Sequence, residues 1–124
     1  MIINAQPTDH TVTVDGLHLR GGFADDGGAI LAASGILSVT TSYVHHNTAT
    51  NGAALYNQDA TVYFVGNQVY SNTATLGGGG YSAGGETVFN GNDVRYNEAS
   101  GAGGGFYHAG GIAAETHAHR KSLF

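Results

Sequence analysis

The stretch LGGGGYSAGGETVFNGNDVRYNEAS at residues 76–100 decides the fold, because it repeats the pattern of the two stretches before it. These are DGGAILAASGILSVTTSYVHHNTAT at 26–50 and NGAALYNQDATVYFVGNQVYSNTAT at 51–75, so the period is 25 residues without insertion. Val44, Val69 and Val94 fall at equivalent positions. The pattern extends back into TVTVDGLHLRGG (11–22) and forward into GAGGGFYHAGG (101–111). A fixed period of this length indicates a repeat architecture.

Each copy alternates apolar and polar residues, as in Val12-x-Val14 and Val62-x-Phe64. This two-residue period is typical of short strands with one buried face, and the intervening Gly, Asn, Ser, Thr and Asp favour turns. The sequence therefore predicts an all-β fold, a right-handed parallel β-helix (solenoid) of about 4–5 coils in which equivalent strands stack along one axis. We expect a single domain over 1–124, with regular coils at about 11–111 and an irregular C-terminal tail or cap at 112–124.

Residues at equivalent positions in successive coils form what we call a column. The glycine run Gly77–Gly80 aligns with GGAI at 27–30 and GAAL at 52–55, which predicts a tight turn followed by a strand. Gly80 replaces the Ile30 of an earlier copy, whereas the neighbouring column keeps large side chains. We therefore expect this neighbouring column to face the interior; it contains Leu31, Tyr56, Tyr81 and Phe106.

An asparagine column also lies at the end of one strand in each copy, at Asn47, Asn72 and Asn97. Stacked amides can hydrogen-bond to one another and to turn backbone along the axis of a β-stack. The sequence predicts a structural ladder here and not a catalytic group.

Composition excludes several kinds of partner. The formal charge of −5, with only four Lys and Arg residues, disfavours nucleic acid and anionic membranes. No apolar run is long enough to predict membrane insertion, and MIINAQPTDH at 1–10 does not resemble an export signal. The chain has no Cys, so neither disulfides nor thiolate metal sites are expected, and no cofactor is predicted.

GGAI at 27–30, followed by SYVHHN at 42–47, resembles the paired GGAI and FxxN signatures of polymorphic outer-membrane protein repeats. VTVDGLHLRGGFADDGGAI at 12–30 resembles the first coil of right-handed β-helix proteins with pectin-lyase-like architecture. These resemblances imply a secreted or cell-surface solenoid used in adhesion or carbohydrate handling. They report a scaffold more than an activity.

Two columns flank the buried valine column and are expected to face solvent. Aromatic rings and planar hydrogen-bonding groups suit a sugar chain, so this strip is a candidate carbohydrate-binding surface; the alternative is an ordinary wetted sheet face. We call these residues the polar strip: His18, Tyr43, Gln68 and Asp93 in one column, and Arg20, His45, Tyr70 and Arg95 in the other.

A polysaccharide lyase or hydrolase is an alternative function. Hydrolysis usually needs two carboxylates, but Asp93 is the only acid on the polar strip. Asp25 and Asp26 are adjacent, yet Thr50 and Asn51 follow in the next coil, so no calcium cluster is expected. We therefore predict a non-catalytic structural or adhesive module.

A further alternative is an ice-binding solenoid, since NTAT occurs at both 47–50 and 72–75. The third copy reads NEAS at 97–100, so this array ends after two coils.

Histidine pairs raise the possibility of a metal site, because imidazole binds Zn²⁺, Ni²⁺ and Cu²⁺. His45 and His46 are adjacent on a strand and are expected to point to opposite faces, so they should not share an ion. His117 and His119 lie in the expected tail. No metal site is predicted.

The ends of a β-helix leave open strand edges, which natural solenoids cover with capping elements. Little sequence is available for capping at either end of the repeat region. We therefore expect self-association through uncapped ends, with polysaccharide as a possible second partner.

Overall fold

The computed structural model describes residues 1–4, 11–115 and 120–123. In these residues the chain is a parallel β-solenoid of about four coils and contains no helix. The predicted all-β solenoid with a period of about 25 residues is therefore confirmed.

Short strands of three to five residues make up nearly the whole of the described chain. The single longer strand among them spans ten residues and turns a corner between two walls. In chain order the strands are β1 (Ile2–Asn4), β2 (Thr11–Asp15), β3 (His18–Arg20), β4 (Phe23–Asp26), β5 (Ile30–Ser34), β6 (Ile36–Thr40), β7 (Tyr43–His45), β8 (Thr48–Asn51), β9 (Leu55–Asn57), β10 (Thr61–Val65), β11 (Gln68–Tyr70), β12 (Thr73–Leu76), β13 (Gly80–Ser82), β14 (Glu86–Asn90), β15 (Asp93–Ala102), β16 (Phe106–His108), β17 (Ile112–Glu115) and β18 (Arg120–Leu123).

The strands stack into three parallel sheets, which form the walls of the solenoid. Sheet A has the order β1-β5-β9-β13-β16, and sheet B has the order β17-β14-β10-β6-β2. Sheet C follows β3-β7-β11-β15-β12-β8-β4, with β18 paired to β15. Val44 pairs with Val69 and Val69 with Val94, so residues 25 positions apart are neighbours along the axis.

The interior is a narrow apolar core built from one residue in two along each strand. Leu37, Val62 and Phe64 are fully buried, and the rings of Phe64 and Phe89 stack with centroids 5.2 Å apart. Burying apolar side chains from all three walls supplies the main favourable free energy of such a fold.

The prediction that the column of Leu31, Tyr56 and Tyr81 faces the interior is wrong. Ile30 and Leu55, one position earlier, are fully buried, whereas Leu31, Tyr56 and Tyr81 are only half-buried on the outer face of sheet A. Because successive strand residues point to opposite faces, an error of one position inverts the whole column.

A β-bulge explains why the glycine run misled the sequence alignment. Ala74 pairs with Ala99 but Leu76 pairs with Ala102, so one extra residue enters the third coil and the period becomes 26. Phe106 therefore pairs with Gly80 and not with Tyr81. A Cβ atom on Gly80 would lie 2.9 Å from Phe106 Cδ1, so the Phe106 ring occupies the space beside Gly80.

Left-handed backbone conformations recur at the corners of sheet C. His46, Ser71 and Tyr96 share one column and have φ values of 56°, 55° and 56°, where the first coil has Gly21. Non-glycine residues pay a conformational cost in this region. Each of them stands immediately before an asparagine of the predicted ladder.

The C-terminal segment continues the solenoid. Instead of an irregular tail, Ile112–Glu115 pairs with β14 and Arg120–Leu123 pairs with β15, both in parallel. These strands extend sheets B and C by one further layer.

Candidate functional site

The asparagine column forms a continuous buried hydrogen-bond ladder. Asn47 and Asn72 each donate both a backbone N–H and a side-chain Nδ2–H to the Oδ1 atom of the next asparagine, at 2.8–3.1 Å. The Nδ2 groups of Asn72 and Asn97 also donate to the Val44 and Val69 carbonyls. All three asparagines are at most 1% exposed, so every one of these bonds replaces a bond to water.

A second ladder runs along the preceding corner and was only partly recognised in the sequence as a small polar column. The Ser42 and Asn67 backbone N–H groups donate to the Oδ1 atoms of Asn67 and Asn92 at 2.9 and 2.8 Å. Asn67 and Asn92 donate back to the Val39 and Phe64 carbonyls. The spacing of 25 residues between two corner asparagines was the signal for both ladders.

The polar strip lies on the outer face of sheet C, where β3, β7, β11 and β15 place its residues in two adjacent columns. His18 stacks on Tyr43 with ring centroids 4.5 Å apart, and His45 stacks on Tyr70 at 4.8 Å. The register thus brings together the residues singled out in the sequence. However, their ring faces are turned toward each other along the axis.

His45 does not face solvent, contrary to the prediction. The side chain is 7% exposed, because Tyr70 covers one ring face and the His18 and His46 rings meet its edges. Burial and, secondarily, the positive neighbours His46, His18 and Arg20 lower the pKa of His45 below its usual value. Its Nε2 atom is buried without a hydrogen-bond partner.

His45 and His46 meet, although they were expected to point to opposite faces. Their Nδ1 atoms lie 2.7 Å apart, within hydrogen-bonding distance. The left-handed conformation of His46 ends the strand alternation after His45 and brings the second ring alongside the first. One imidazole must donate its Nδ1–H and the other must accept, so this contact requires at least one neutral ring.

At the other end of the strip the charged groups bind each other. Arg95 forms an ion pair with Asp93 at 3.0 Å, donates to Gln68 Oε1 at 3.2 Å and lies 5.5 Å from the Tyr70 ring centroid. Asp93 and Arg95 are both partly exposed. Asp93 is thus neutralised by its neighbour, which does not suit a catalytic acid or base.

A tyrosine ladder on the outer face of sheet A was missed by the sequence analysis. Tyr56 and Tyr81 stack at 4.9 Å, and Tyr81 and Tyr107 at 5.1 Å. Burial, with smaller contributions from Asp26 and Tyr81, raises the pKa of Tyr56. Assigning this column to the interior concealed the signal, and the bulge moved Tyr107 into it in place of Phe106.

The surface of the polar strip contains only a shallow depression of about 180 Å³, lined by Thr41, Ser42, Tyr43, Gly66 and Gln68. In the described part of the chain, no three His, Asp or Glu side chains come close enough together to hold a metal ion. Those residues also include no helix with the length and hydrophobicity needed to cross a bilayer. His117 and His119 lie outside the described residues.

No family model matches the chain, and no curated protein or solved structure was found to be similar to it. The fold defines the class, a parallel β-solenoid repeat protein. The resemblance to pectin-lyase-like proteins and to polymorphic outer-membrane protein repeats stays a prediction.

Proposed function

We propose that this protein is a non-catalytic structural module, a rigid β-solenoid that serves as a spacer or adhesive surface element. The observation that carries the proposal is the pair of buried amide ladders at two corners of the coil, which use polar groups to join one coil to the next. Each coil therefore contributes its polar side chains to axial cohesion.

The arrangement of carboxylates also supports a structural role. Asp93 is paired with Arg95, and Asp15 accepts hydrogen bonds from the Thr40 and Thr41 hydroxyls. Asp26 accepts a bond from Asn51 Nδ2 at 2.9 Å. Acid–base chemistry on a polysaccharide needs carboxylates or a base free to exchange protons with substrate. These three acids are instead engaged with neighbouring coils or strand residues.

The proposal can be tested by assaying purified protein with acidic and neutral polysaccharides. We expect no turnover above the rate measured with an Asp93→Ala variant. Reproducible turnover by the wild type that disappears in Asp93→Ala would contradict a non-catalytic role and would support the lyase or hydrolase alternative.

Carbohydrate binding on the polar strip is a second candidate function. Tyr43 is 36% exposed and borders the shallow depression together with Gln68, so a ring edge and an amide are both accessible to a sugar. Stacking along the axis leaves little free ring face, so the expected binding is weak.

A glycan array followed by calorimetry tests this second function. Tyr43→Ala and Gln68→Ala should abolish binding to any glycan that the wild type retains, and Tyr63→Ala on sheet B is the matched control. Binding that survives both strip variants would place the sugar elsewhere.

A further inference from the structure

The two ends of the solenoid present unpaired strand edges in the described part of the chain. The first-layer strands β1, β2, β3 and β4 each pair on one side only, with β5, β6, β7 and β8. The last-layer strands β16, β17 and β18 likewise pair only with β13, β14 and β15. A strand with one open edge can pair with a strand from another chain.

Exposed apolar residues concentrate at the first layer. Phe23 is 86% exposed and Ile2 is 72% exposed, whereas residues of similar size in the middle layers are buried or are tyrosines with a polar tip. Both border one groove of about 500 Å³, which also contains Asp25 and Asp26. The first layer therefore places apolar and acidic side chains next to each other.

The opposite end has the complementary character by position. Strand β18 contains Arg120 and Lys121, two of the four basic residues of the chain, and ends at Leu123. Leu123 belongs to the same column as Phe23, through the pairs Phe23–Thr48, Thr48–Thr73, Thr73–Glu98 and Glu98–Leu123. Thus the last layer places an apolar residue in register with Phe23, beside two positive charges.

The charge balance of the two ends favours one orientation of assembly. Residues 11–26 contain three acids and one base, a net charge of −2 (−3 + 1); residues 101–123 contain two bases and one acid, a net charge of +1 (+2 − 1). Two first layers facing each other would bring like charges together, which is unfavourable at close range. A first layer facing a last layer brings opposite charges together.

We propose that the protein assembles head to tail, with the first layer of one copy stacked on the last layer of the next. Strands β1 and β2 then continue sheets A and B beyond β16 and β17, and β3 and β4 continue sheet C beyond β18. Ile2 falls next in the column after Tyr107, because Ile2 pairs with Leu31 and the column runs on through Tyr56 and Tyr81 to Tyr107. The contact repeats the parallel coil-to-coil pairing already present inside the molecule.

A head-to-tail contact uses different surfaces on the two partners and does not close on itself when the copies are related by translation along one axis. The expected product is a linear filament whose length grows with concentration and shrinks with salt, because opposite charges contribute. This assembly rests on the proposed structural role and names the partner, which is a second copy of the chain.

The first test is the mass distribution between low and high micromolar concentration, measured by sedimentation velocity and electron microscopy. The wild type should form concentration-dependent linear oligomers. An Ile2→Ser/Phe23→Ser variant should shift assembly to at least tenfold higher concentration, and Tyr63→Ser, on the central strand β10, should leave assembly unchanged. A wild type that remains monomeric at high micromolar concentration would overturn the proposal.

The second test establishes direction. Arg120→Glu/Lys121→Glu alters only the last layer, and Asp25→Lys/Asp26→Lys alters only the first, so each alone should be monomeric. An equimolar mixture should assemble, because every first layer then meets an oppositely charged last layer of the other variant. If Arg120→Glu/Lys121→Glu alone forms oligomers as the wild type does, head-to-tail contact is excluded. If the equimolar mixture stays monomeric, these charges do not form the contact.

These outcomes are separable from failure of the proposed function. A folded, monomeric wild type with a β-rich circular dichroism spectrum would reject assembly and leave the structural role intact. Polysaccharide turnover dependent on Asp93 would reject the structural role, whatever the oligomeric state.

Discussion

At the residue scale, the corner asparagines connect backbone geometry to cohesion between coils. The residue before each asparagine of the first ladder has a positive φ, which turns the chain sharply and leaves backbone groups at the corner without strand partners. The asparagine side chain supplies a donor and an acceptor at the place where the next coil has the same need. A single residue type thus satisfies the corner of every coil.

We predict that Asn72→Ala destabilises the protein by about 3 kcal/mol, because the Asn47 backbone N–H and the Val44 carbonyl would both lose their partner in a buried site. Urea unfolding monitored by circular dichroism measures this cost. Gln58→Ala, at an exposed position, is the control and should change stability by less than about 0.5 kcal/mol. Equal effects of the two substitutions would show that the ladder contributes little.

His45 is expected to make stability depend on pH. Its folded-state pKa is lowered, chiefly by burial and then by His46, His18 and Arg20, so the unfolded chain binds more protons below about pH 6.5. Stability contributed by neutral His45 is present above that pH and is lost as the pH falls toward the folded-state pKa.

We therefore predict that His45→Phe, which keeps an aromatic ring against Tyr70, becomes more stable relative to the wild type as the pH falls from 7.5 to 5. Urea midpoints measured across this range provide the test. His108→Gln, an exposed histidine at the far end of sheet A, should not change the pH profile. A constant difference between His45→Phe and the wild type at all pH values would contradict the argument.

At the element scale, the bulge in β15 determines how the third coil is packed. Ser100 and Gly101 together oppose Thr75, so the following strand advances by one residue and Phe106 turns inward. The interior column therefore reads Ile30, Leu55, Gly80 and Phe106. A missing side chain at one level is matched by a large ring at the next.

This compensation predicts a double-mutant cycle. Gly80→Leu should be destabilising because its Cβ atom would overlap Phe106, and Phe106→Ala should cost about 2 kcal/mol through a cavity beside a half-buried ring. The double variant should be more stable than the sum of the two single changes by at least about 1 kcal/mol. Additive effects, measured by urea unfolding, would show that the two positions do not share one space.

At the scale of the whole molecule, each strand depends on the layers above and below it. Middle strands such as β6 and β10 pair on both sides, whereas β2 and β3 pair on one side only. In repeat proteins stability is approximately the sum of such nearest-neighbour contacts, so it should decrease toward the ends.

We predict that amide hydrogen exchange, followed by mass spectrometry at low protein concentration, is slowest in β6 and β10 and much faster in β2 and β3. At high concentration, head-to-tail assembly should raise the protection of β2 and β3 selectively. Uniform protection across all layers would contradict the nearest-neighbour description, and protection of the first layer that is independent of concentration would argue against assembly at that end.

The sequence by itself determined the solenoid, its period and the columns of Val44 and Asn47, because repetition every 25 residues leaves one simple way for equivalent strands to satisfy their backbone groups. Tertiary structure decided which of two adjacent columns faces inward, since the third copy shows only glycines there and a bulge of one residue reverses inside and outside. It also decided the contact between His45 and His46 and the burial of His45. Both depend on a left-handed corner that alternation along a strand does not predict, because a non-glycine residue adopts this conformation only when packing and ladder hydrogen bonds offset its cost.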